Sequence, residues 1–339
     1  MNPFAVQKKE LITKSAAREV FNLIARELQL VEEEFERQAA SNIQVIDYLG
    51  GYLRESGGKR VRPALLILSA YAAGGNGSEP NVIRMATVME MLHTATLVHD
   101  DIIDNAGVRR SRQSVNAKFG NQAAVLMGDW LYMSAFETSL AERSLAILDI
   151  LTRLTRKMTE GELIQLTLLG KSNISEEEYF DIVKRKTAYL FSGCCEIGGI
   201  LGNASHRKQM ALREYGINLG IAFQIADDLL DFTADAAKIG KATGADLIEG
   251  KVTLPLIKLL QKEAGLRPII EGVMYDGNYD EKSRETIGDA ISDYKIIPQI
   301  KEIAASYADA AIKNLEIFEK TEYREAMVGI PGFVVEREN

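Results

Sequence analysis

The chain has 339 residues, of which 46% are hydrophobic and 26% are charged, a composition typical of globular proteins with a large core. Its formal net charge of −8 argues against a general nucleic-acid-binding protein, because such proteins usually carry a basic excess. No apolar run reaches the length of a membrane span and residues 1–20 lack the apolar centre of a signal peptide, so we expect a cytoplasmic protein without a transmembrane segment.

Almost every segment of the chain has the apolar spacing and the end signals of a helix. The predicted helices cover residues 14–40, 42–55, 63–73, 81–104, 121–143, 146–169, 176–202, 207–232, 255–263, 281–293, 298–319 and 323–328. No stretch alternates in the manner of a strand, and no shift in composition indicates a linker. We therefore predict an all-α fold, a single-domain helical bundle over residues 1–339 around a deep central cavity.

Two of these helices each contain a pair of adjacent aspartates and a third aspartate three positions later, in otherwise apolar surroundings. The six residues are Asp100, Asp101, Asp104, Asp227, Asp228 and Asp231. On a helix, the first and last aspartate of each cluster share one face. Carboxylates are rarely buried without a partner, so we interpret both clusters as facing a shared cation. Mg²⁺ is the expected ion, because it prefers hard oxygen ligands and is usually held by carboxylates together with substrate phosphates.

Basic and polar residues accompany the acidic clusters along the chain. Lys59, Arg60 and Arg62 lie in GGKRVRP at a helix start, where cations and free N–H groups attract phosphates. Arg109 and Arg110 follow the first acidic helix and either pair with its carboxylates or contact the same phosphates. Further candidates on apolar helices or after glycines are His93, Lys186, Thr187, Gln224, Lys241 and Lys251. Taken alone, a helical histidine such as His93 is more often a core residue, and a lysine such as Lys186 is usually a surface residue.

Together, these residues suit the chemistry of a diphosphate with an apolar substituent. Metal ions neutralise the charge of a departing diphosphate, and an apolar wall shields a hydrophobic substrate and a carbocation from water. No arrangement typical of nucleophilic catalysis and no P-loop stands out. Cys194 and Cys195 are neighbours, which suits neither a structural disulfide nor a zinc site, so we interpret them as reduced core residues.

Six motifs in a fixed order relate the chain to a known family. They run from residue 57 to 255 and read GGKRVRP, LHTATLVHDDIIDNAGVRR, GDWL, KTA, FQIADDLLD and GKVTLP. With these motifs the chain closely resembles the trans-polyprenyl diphosphate synthases, and its ending YREAMVGI is most similar to the octaprenyl members. Ser111 departs from the pattern, since the family often has glycine after the paired arginines.

The resemblance implies an all-α homodimer that condenses isopentenyl diphosphate head to tail onto an allylic diphosphate such as farnesyl diphosphate. By the same resemblance, the Mg²⁺ ligands are Asp100, Asp104 and Asp227. The clusters are completed by Asp101, Asp228 and Asp231. The allylic diphosphate is bound by Arg109, Lys186, Thr187 and Gln224, assisted by Lys241 and Lys251. Isopentenyl diphosphate is bound by Lys59, Arg62, His93 and Arg110, and the released diphosphate is a candidate acceptor for the final proton.

Product length depends, in this family, on the residues four and five positions before the first motif aspartate. Here they are Thr96 and Ala95, and five helical residues place Ala95 roughly 7.5 Å below the metal level. Small side chains leave the tunnel open, so we predict a long all-trans product near octaprenyl diphosphate. The floor would lie deeper, among Met127, Trp130, Leu131 and Phe136. Such a product would partition into a membrane, so transient contact with a membrane surface is also expected.

There are four alternatives to this function. A class I terpene cyclase has an aspartate-rich helix, but it normally carries a different second metal motif and does not need GGKRVRP. A regulatory subunit of a heteromeric synthase would be expected to lose one acidic cluster. A farnesyl or geranylgeranyl diphosphate synthase would differ only in the depth of the tunnel. A purely structural helical protein would not need matched acidic stripes on apolar helices.

Overall fold

The computed structural model describes residues 18–55, 57–109, 112–233 and 244–336. The α-helices are α1 Ala25–Ala39, α2 Gln44–Glu55, α3 Val61–Ala72, α4 Pro80–Ile103, α5 Val115–Phe119, α6 Asn121–Ser139, α7 Leu145–Leu168, α8 Glu176–Val183, α9 Tyr189–Leu201, α10 His206–Thr233, α11 Ala245–Ile248, α12 Leu254–Lys262, α13 Arg267–Asp276, α14 Glu281–Asp293, α15 Ile296–Asn314 and α16 Glu322–Val335. The remaining elements are 3-10 turns Leu140–Glu142 and Ala264–Leu266, a π turn Lys184–Ala188 and an antiparallel ribbon of β1 Val108–Arg109 and β2 Arg112–Gln113.

Helices α4 and α10, which carry the acidic clusters, lie inside the bundle. Helix α4 packs against α3 and α6, and α10 packs against α9 and α15. One apolar cluster of buried residues is centred on α3, α4, α6 and α9, and a second is centred on α10 and α12–α15. Tyr307 and Val335 pack against both clusters. The predicted all-α helical bundle is therefore confirmed, while its extent over residues 1–339 stays a prediction.

The elements differ from prediction at several places. Residues 108–113 contain the β1–β2 ribbon, whose two-residue strands are too short to show alternation. Helix α11 lies in a segment that was expected to be a loop, and α13 lies between two predicted helices. Helix α13 begins with a proline in its first turn, a position that proline tolerates. Helix α16 continues past residue 328 through Pro331, because burial of Ile330 and Val334 outweighs the hydrogen bond that proline removes.

Two helices approach each other closely at the base of the first acidic cluster. A Cβ atom at Gly128 of α6 would lie 2.2 Å from Nε2 of His99 on α4, so a larger residue would displace the His99 ring. His99 Nε2 also lies 3.2 Å from the carbonyl oxygen of Val125. His99 thus belongs to the α4–α6 interface. None of the helices in the described ranges combines the length and apolar composition needed to cross a bilayer.

Candidate active site

A cavity of about 560 Å³ lies between α4, α7, the π turn, α10 and the segment 245–253. The predicted site residues that line it are Arg62, His93, Thr96, Asp100, Asp104, Arg109, Lys186, Thr187, Gln224, Asp227, Asp228 and Lys251. The apolar part of the lining consists of Leu97, Met158, Leu168, Leu169, Ile174, Ile182, Val183, Leu190 and Val252. The structure therefore brings both acidic clusters, several cations and an apolar wall to one cavity.

The first acidic cluster contributes two carboxylates to the cavity. Burial raises the pKa of Asp100 to about 6; nearby Lys186 opposes this rise, and the carboxylates of Glu162 and Asp104 add to it. Asp104 caps the end of α4 and accepts a hydrogen bond from Lys251 Nζ at 3.0 Å. Because three negative groups repel one another here, a cation bound between them would favour the ionised form of Asp100.

Asp101 faces away from this cavity, one residue and about 100° around the helix from Asp100. Its side chain is buried and accepts a hydrogen bond from Arg109 Nε at 2.7 Å. Its backbone carbonyl accepts hydrogen bonds from Ala106 N and Asn116 Nδ2. Asp101 therefore holds Arg109, which itself lines the cavity, instead of lining the cavity with Asp100.

The second cluster is divided in the same way. Asp227 is exposed to the cavity, whereas Asp228 is buried and accepts hydrogen bonds from Tyr179 Oη at 2.7 Å and Gln224 Nε2 at 2.8 Å. Burial, together with the nearby Asp246 and Asp227 carboxylates, raises the pKa of Asp228 well above its usual range. Thr187 Oγ1 donates to Gln224 Oε1 at 2.8 Å, so this network links α10 to the π turn.

Asp231 does not line the cavity with Asp227, although the two residues share a helix face. Its carboxylate accepts hydrogen bonds from the backbone N–H groups of Ala245 at 3.0 Å and Asp246 at 3.4 Å. Both clusters were expected to face the cavity, but Asp101 and Asp231 are not among the residues that line it. Asp100, Asp104 and Asp227 face it fully, and Asp228 reaches it while serving the buried network.

The π turn places Lys186 and Thr187 at the cavity. A Cβ at Gly161 of α7 would lie 2.6 Å from Arg185 Cβ, and one at Gly220 of α10 would lie 2.5 Å from Ala188 Cα. Glycine at both positions lets the two helices close on the turn from opposite sides. Lys186 Nζ donates to Gln165 Oε1 at 2.9 Å and pairs with Glu162. Wide turns of this kind are frequent at functional sites.

The basic turn GGKRVRP separates into three environments. Arg62 lines the cavity, and its guanidinium lies 5.0 Å from the centre of the Phe191 ring. Arg60 adopts a left-handed conformation and pairs with Glu32 and with the buried Glu90. Lys59 is exposed and is not among the residues that line the cavity. Arg110, Ser111 and Lys241 lie outside the described residues.

The two predicted chain-length positions have different surroundings. Thr96 lines the cavity, and its hydroxyl donates to the carbonyl oxygen of His93 at 2.7 Å. Ala95 is fully buried and is not part of the cavity lining. The candidate floor residues Met127 and Leu131 are also buried, on α6 where it packs against α4. The role of Ala95 and Thr96 in product length stays a prediction.

Several cavity residues were missed because they belong to no recognised motif. Gln165, Tyr179, Asp246 and Glu249 all line the cavity. Gln165 and Tyr179 lie in ordinary amphipathic helices, so their sequence gives no signal. Asp246 and Glu249 lie in GADLIEGK, next to the predicted Lys251, and this concentration of charge after a glycine was the available signal.

The carboxylates of the cavity suit a divalent ion that is shared with a ligand. Within the described ranges, no three His, Cys, Asp or Glu side chains converge as a preformed metal site. Asp100, Asp104 and Asp227 instead line one cavity, in which Lys251 contacts Asp104 and Lys186 lies near Asp100. Mg²⁺ commonly keeps several waters and takes one or two carboxylates plus phosphate oxygens, so these residues fit it.

The fold and the site define a class of enzyme. An all-α bundle with two acidic helices, several cations and an apolar wall around one cavity is suited to a substrate with a diphosphate head and an apolar tail. The chain belongs to the polyprenyl synthetase family, whose sequence model matches residues 43–290. It is therefore a prenyltransferase, as the order of its motifs predicted.

Individual relatives cover nearly the whole chain. The octaprenyl diphosphate synthase of Escherichia coli K12 is 35% identical over 93% of this chain and 97% of its own length. The geranylgeranyl diphosphate synthase of Methanosarcina mazei is also 35% identical, over 85% of this chain and 88% of its own length. A polyprenyl synthase from Caulobacter crescentus CB15, solved in complex with calcium and isoprenyl diphosphate, superposes with a TM-score of 0.89 at 32% identity, covering 95% of this chain and 98% of that one.

Proposed function

We propose that this enzyme condenses isopentenyl diphosphate onto an allylic diphosphate, such as farnesyl diphosphate, and that it makes a long all-trans product, octaprenyl diphosphate. The observation that carries the proposal is the single cavity lined by Asp100 and Asp104 at the end of α4 and by Asp227 of α10. These three carboxylates would hold Mg²⁺. When bound, Mg²⁺ would neutralise the diphosphate and ease its departure.

The allylic diphosphate would be bound by residues around the acidic clusters. Lys186 reaches the cavity from the π turn. Arg109 also lines the cavity, where the buried Asp101 holds its guanidinium. Thr187 and Gln224 are already oriented by their mutual hydrogen bond. Ionisation would leave an allylic cation and diphosphate, and the apolar wall would keep water from that cation.

Isopentenyl diphosphate would bind in another part of the same cavity. Arg62 and His93 line the cavity there, and we assign Lys59 and Arg110 to the same phosphate group. The double bond of isopentenyl diphosphate attacks the allylic cation, which forms the new carbon–carbon bond. The released diphosphate then accepts the proton that restores a double bond, and the cycle repeats on the longer chain.

The length of the product is the finer part of the proposal. Relatives with a long and with a short product are both 35% identical to this chain, so sequence identity does not decide between them. The support comes from Thr96, a small residue in the cavity lining beneath Asp100, which leaves room for a growing chain. Ala95 is equally small and lies next to it.

We also propose a homodimer in the cytoplasm. Val125, Leu126 and Met133 of α6 are apolar and expose 42%, 68% and 64% of their surface, a pattern that suits burial against a second copy. Both cysteines are unpaired thiols in the core, as expected in a reducing compartment. The apolar product would be passed on at a membrane surface. Light scattering coupled to size exclusion gives the oligomeric state, and a monomer would contradict the dimer.

The proposed activity is tested by a product-length assay. The purified chain is incubated with Mg²⁺, farnesyl diphosphate and labelled isopentenyl diphosphate, and the dephosphorylated products are separated by length. An octaprenyl product supports both the chemistry and the open tunnel. A geranylgeranyl product keeps the reaction but contradicts the tunnel assignment. Cyclic hydrocarbons would indicate a cyclase, and the absence of condensation would favour a subunit that needs a partner.

A further inference from the structure

The last aspartates of the two acidic clusters occupy different environments despite their identical spacing. Asp104 lines the cavity, where it accepts a hydrogen bond from Lys251. Asp231 directs its two carboxylate oxygens to backbone N–H groups, those of Ala245 and Asp246. Its own carbonyl oxygen accepts a hydrogen bond from Gly244 N at 3.0 Å. Asp231 is also not among the residues that line the cavity, unlike Asp227 and Asp228.

The turn that contacts Asp231 is also restricted at Gly244, by its backbone conformation and by the ring of Tyr279. Gly244 has a φ of +79°, which favours glycine, and a Cβ there would lie 2.4 Å from Cε1 of Tyr279. The chain continues into α11, where Leu247 is fully buried. The turn is therefore fixed by Asp231, by the Tyr279 ring and by the burial of Leu247.

Lys251 follows this turn and depends on its position. Lys251 N donates to the carbonyl oxygen of Asp246 at 2.8 Å, so its backbone is tied directly to a residue that Asp231 holds. Its Nζ lies 3.0 Å from Asp104 Oδ1 and 2.7 Å from Glu249 Oε2. Gly250 adds a further tie by accepting a hydrogen bond from Gly170 N. A chain of contacts thus runs from Asp231 through the turn to Lys251 and Asp104.

We propose that Asp231 is a positioning residue, which fixes the turn at residues 244–246 and thereby places Lys251 at the diphosphate end of the cavity. It is not a metal ligand in this assignment. The assignment rests on the proposed function for the role of Lys251 toward the diphosphate. The placement of the turn, however, can be measured without any substrate.

Hydrogen–deuterium exchange of the full-length protein tests the placement directly. In Asp231→Ala the amides of Ala245 and Asp246 lose their acceptors, and peptides covering residues 244–251 should exchange roughly tenfold faster. Asp231→Asn keeps one acceptor oxygen and should give a smaller increase. Asp227→Asn is the matched control within the same cluster and should leave this exchange unchanged. Equal exchange in Asp231→Ala and the wild type would overturn the proposal.

Steady-state kinetics separate positioning from metal binding. Asp231→Ala and Lys251→Ala should each raise KM for the allylic diphosphate about tenfold, the loss expected for one hydrogen bond to a charged group. Because both substitutions act through Lys251, KM of the double variant should stay within about twofold of the higher KM of the two single variants. The Mg²⁺ concentration for half-maximal rate should rise in Asp227→Asn but stay unchanged in Asp231→Asn.

A second variant keeps the test decisive if Asp231→Ala fails to fold. Gly244→Ala disturbs the same turn from the side of Tyr279 while leaving the Asp231 carboxylate in place. It should raise exchange at residues 245–251 and KM for the allylic diphosphate together. A rise in the Mg²⁺ requirement of Asp231→Asn equal to that of Asp227→Asn would overturn the assignment. If the wild type shows no condensation, the proposed function fails, while the exchange experiment still decides the role of Asp231.

Discussion

Replacing Gly161 by alanine should disturb Lys186 without touching any charged group. The new Cβ would lie 2.6 Å from Arg185 Cβ, 3.1 Å from Lys186 Cγ and 3.2 Å from Lys186 N. The first distance is far below ordinary carbon–carbon contact, so the π turn must move. Overpacking of this kind costs about 1–3 kcal/mol, and alanine regains about 1 kcal/mol through its higher helix propensity. A net loss of about 1 kcal/mol is expected.

The matched control is Gly288→Ala in the middle of α14, where a Cβ would meet nothing within 4 Å. This change adds helix propensity alone and should stabilise the protein by about 0.5–1 kcal/mol. Thermal unfolding should therefore shift downward in Gly161→Ala and upward in Gly288→Ala, by about 2 °C each.

Kinetics of the same two variants report on the site. Gly161→Ala should raise KM for the allylic diphosphate about tenfold, since a misplaced Lys186 loses one charged hydrogen bond to it. Gly288→Ala should leave KM unchanged. If both alanine variants were equally stable and equally active, the close approach at Gly161 would not position Lys186, and the reasoning would be refuted.

Three further variants follow from contacts in the cavity. Ala95→Phe should shorten the product, because an aromatic ring would form a floor near the metals, and unchanged product length would contradict the tunnel assignment. Tyr179→Phe leaves the buried Asp228 without one donor and should lower the free energy of unfolding by about 1–3 kcal/mol; denaturant titration measures this, and no change would mean that the bond is not formed. Because the pKa of Asp100 is raised to about 6, its carboxyl gains a proton as pH falls through that value. Only about a tenth of the Asp100 carboxyl would be ionised at pH 5 and nine tenths at pH 7, so Mg²⁺ should bind roughly tenfold more weakly at pH 5. Calorimetry measures this affinity, and in Asp100→Asn the affinity should no longer depend on pH.

The helices and the cavity were predictable because both depend on local patterns. Apolar spacing located most helices, and the spacing of Asp100 and Asp104 placed both on one helix face. The same geometry turns Asp101 about 100° away, and its buried contact with Arg109 follows from that rotation. The reaction was predicted from the resemblance of six ordered motifs to those of a known family.

Non-local contacts explain what could not be predicted. Asp104 and Asp231 have the same position within their motifs, yet α4 ends at Ile103 whereas α10 continues to Thr233. Asp231 therefore lies inside its helix, and its carbonyl oxygen accepts a hydrogen bond from Gly244, thirteen residues further along the chain. The π turn likewise depends on two helices that close on it at glycines, which no periodicity within KRKTA indicates.

Helices with ordinary sequences also supply important residues. Gln165 contacts Lys186 and Tyr179 contacts Asp228, but neither belongs to a motif. Only the folded arrangement of α7 and α8 around the cavity gives them these partners. Residues that support a site are therefore harder to predict than residues that belong to its motif.

The central claim is that the two acidic helices act together on one diphosphate, and calorimetry tests it most directly. Farnesyl diphosphate is titrated into the purified chain with Mg²⁺ and again with a chelator, and both titrations are repeated with Asp100→Asn and Asp227→Asn. Tight binding that requires Mg²⁺ and is weakened by either substitution is the predicted result. Binding that is equally tight without Mg²⁺, or that depends on only one of the two helices, would contradict a metal-bridged site.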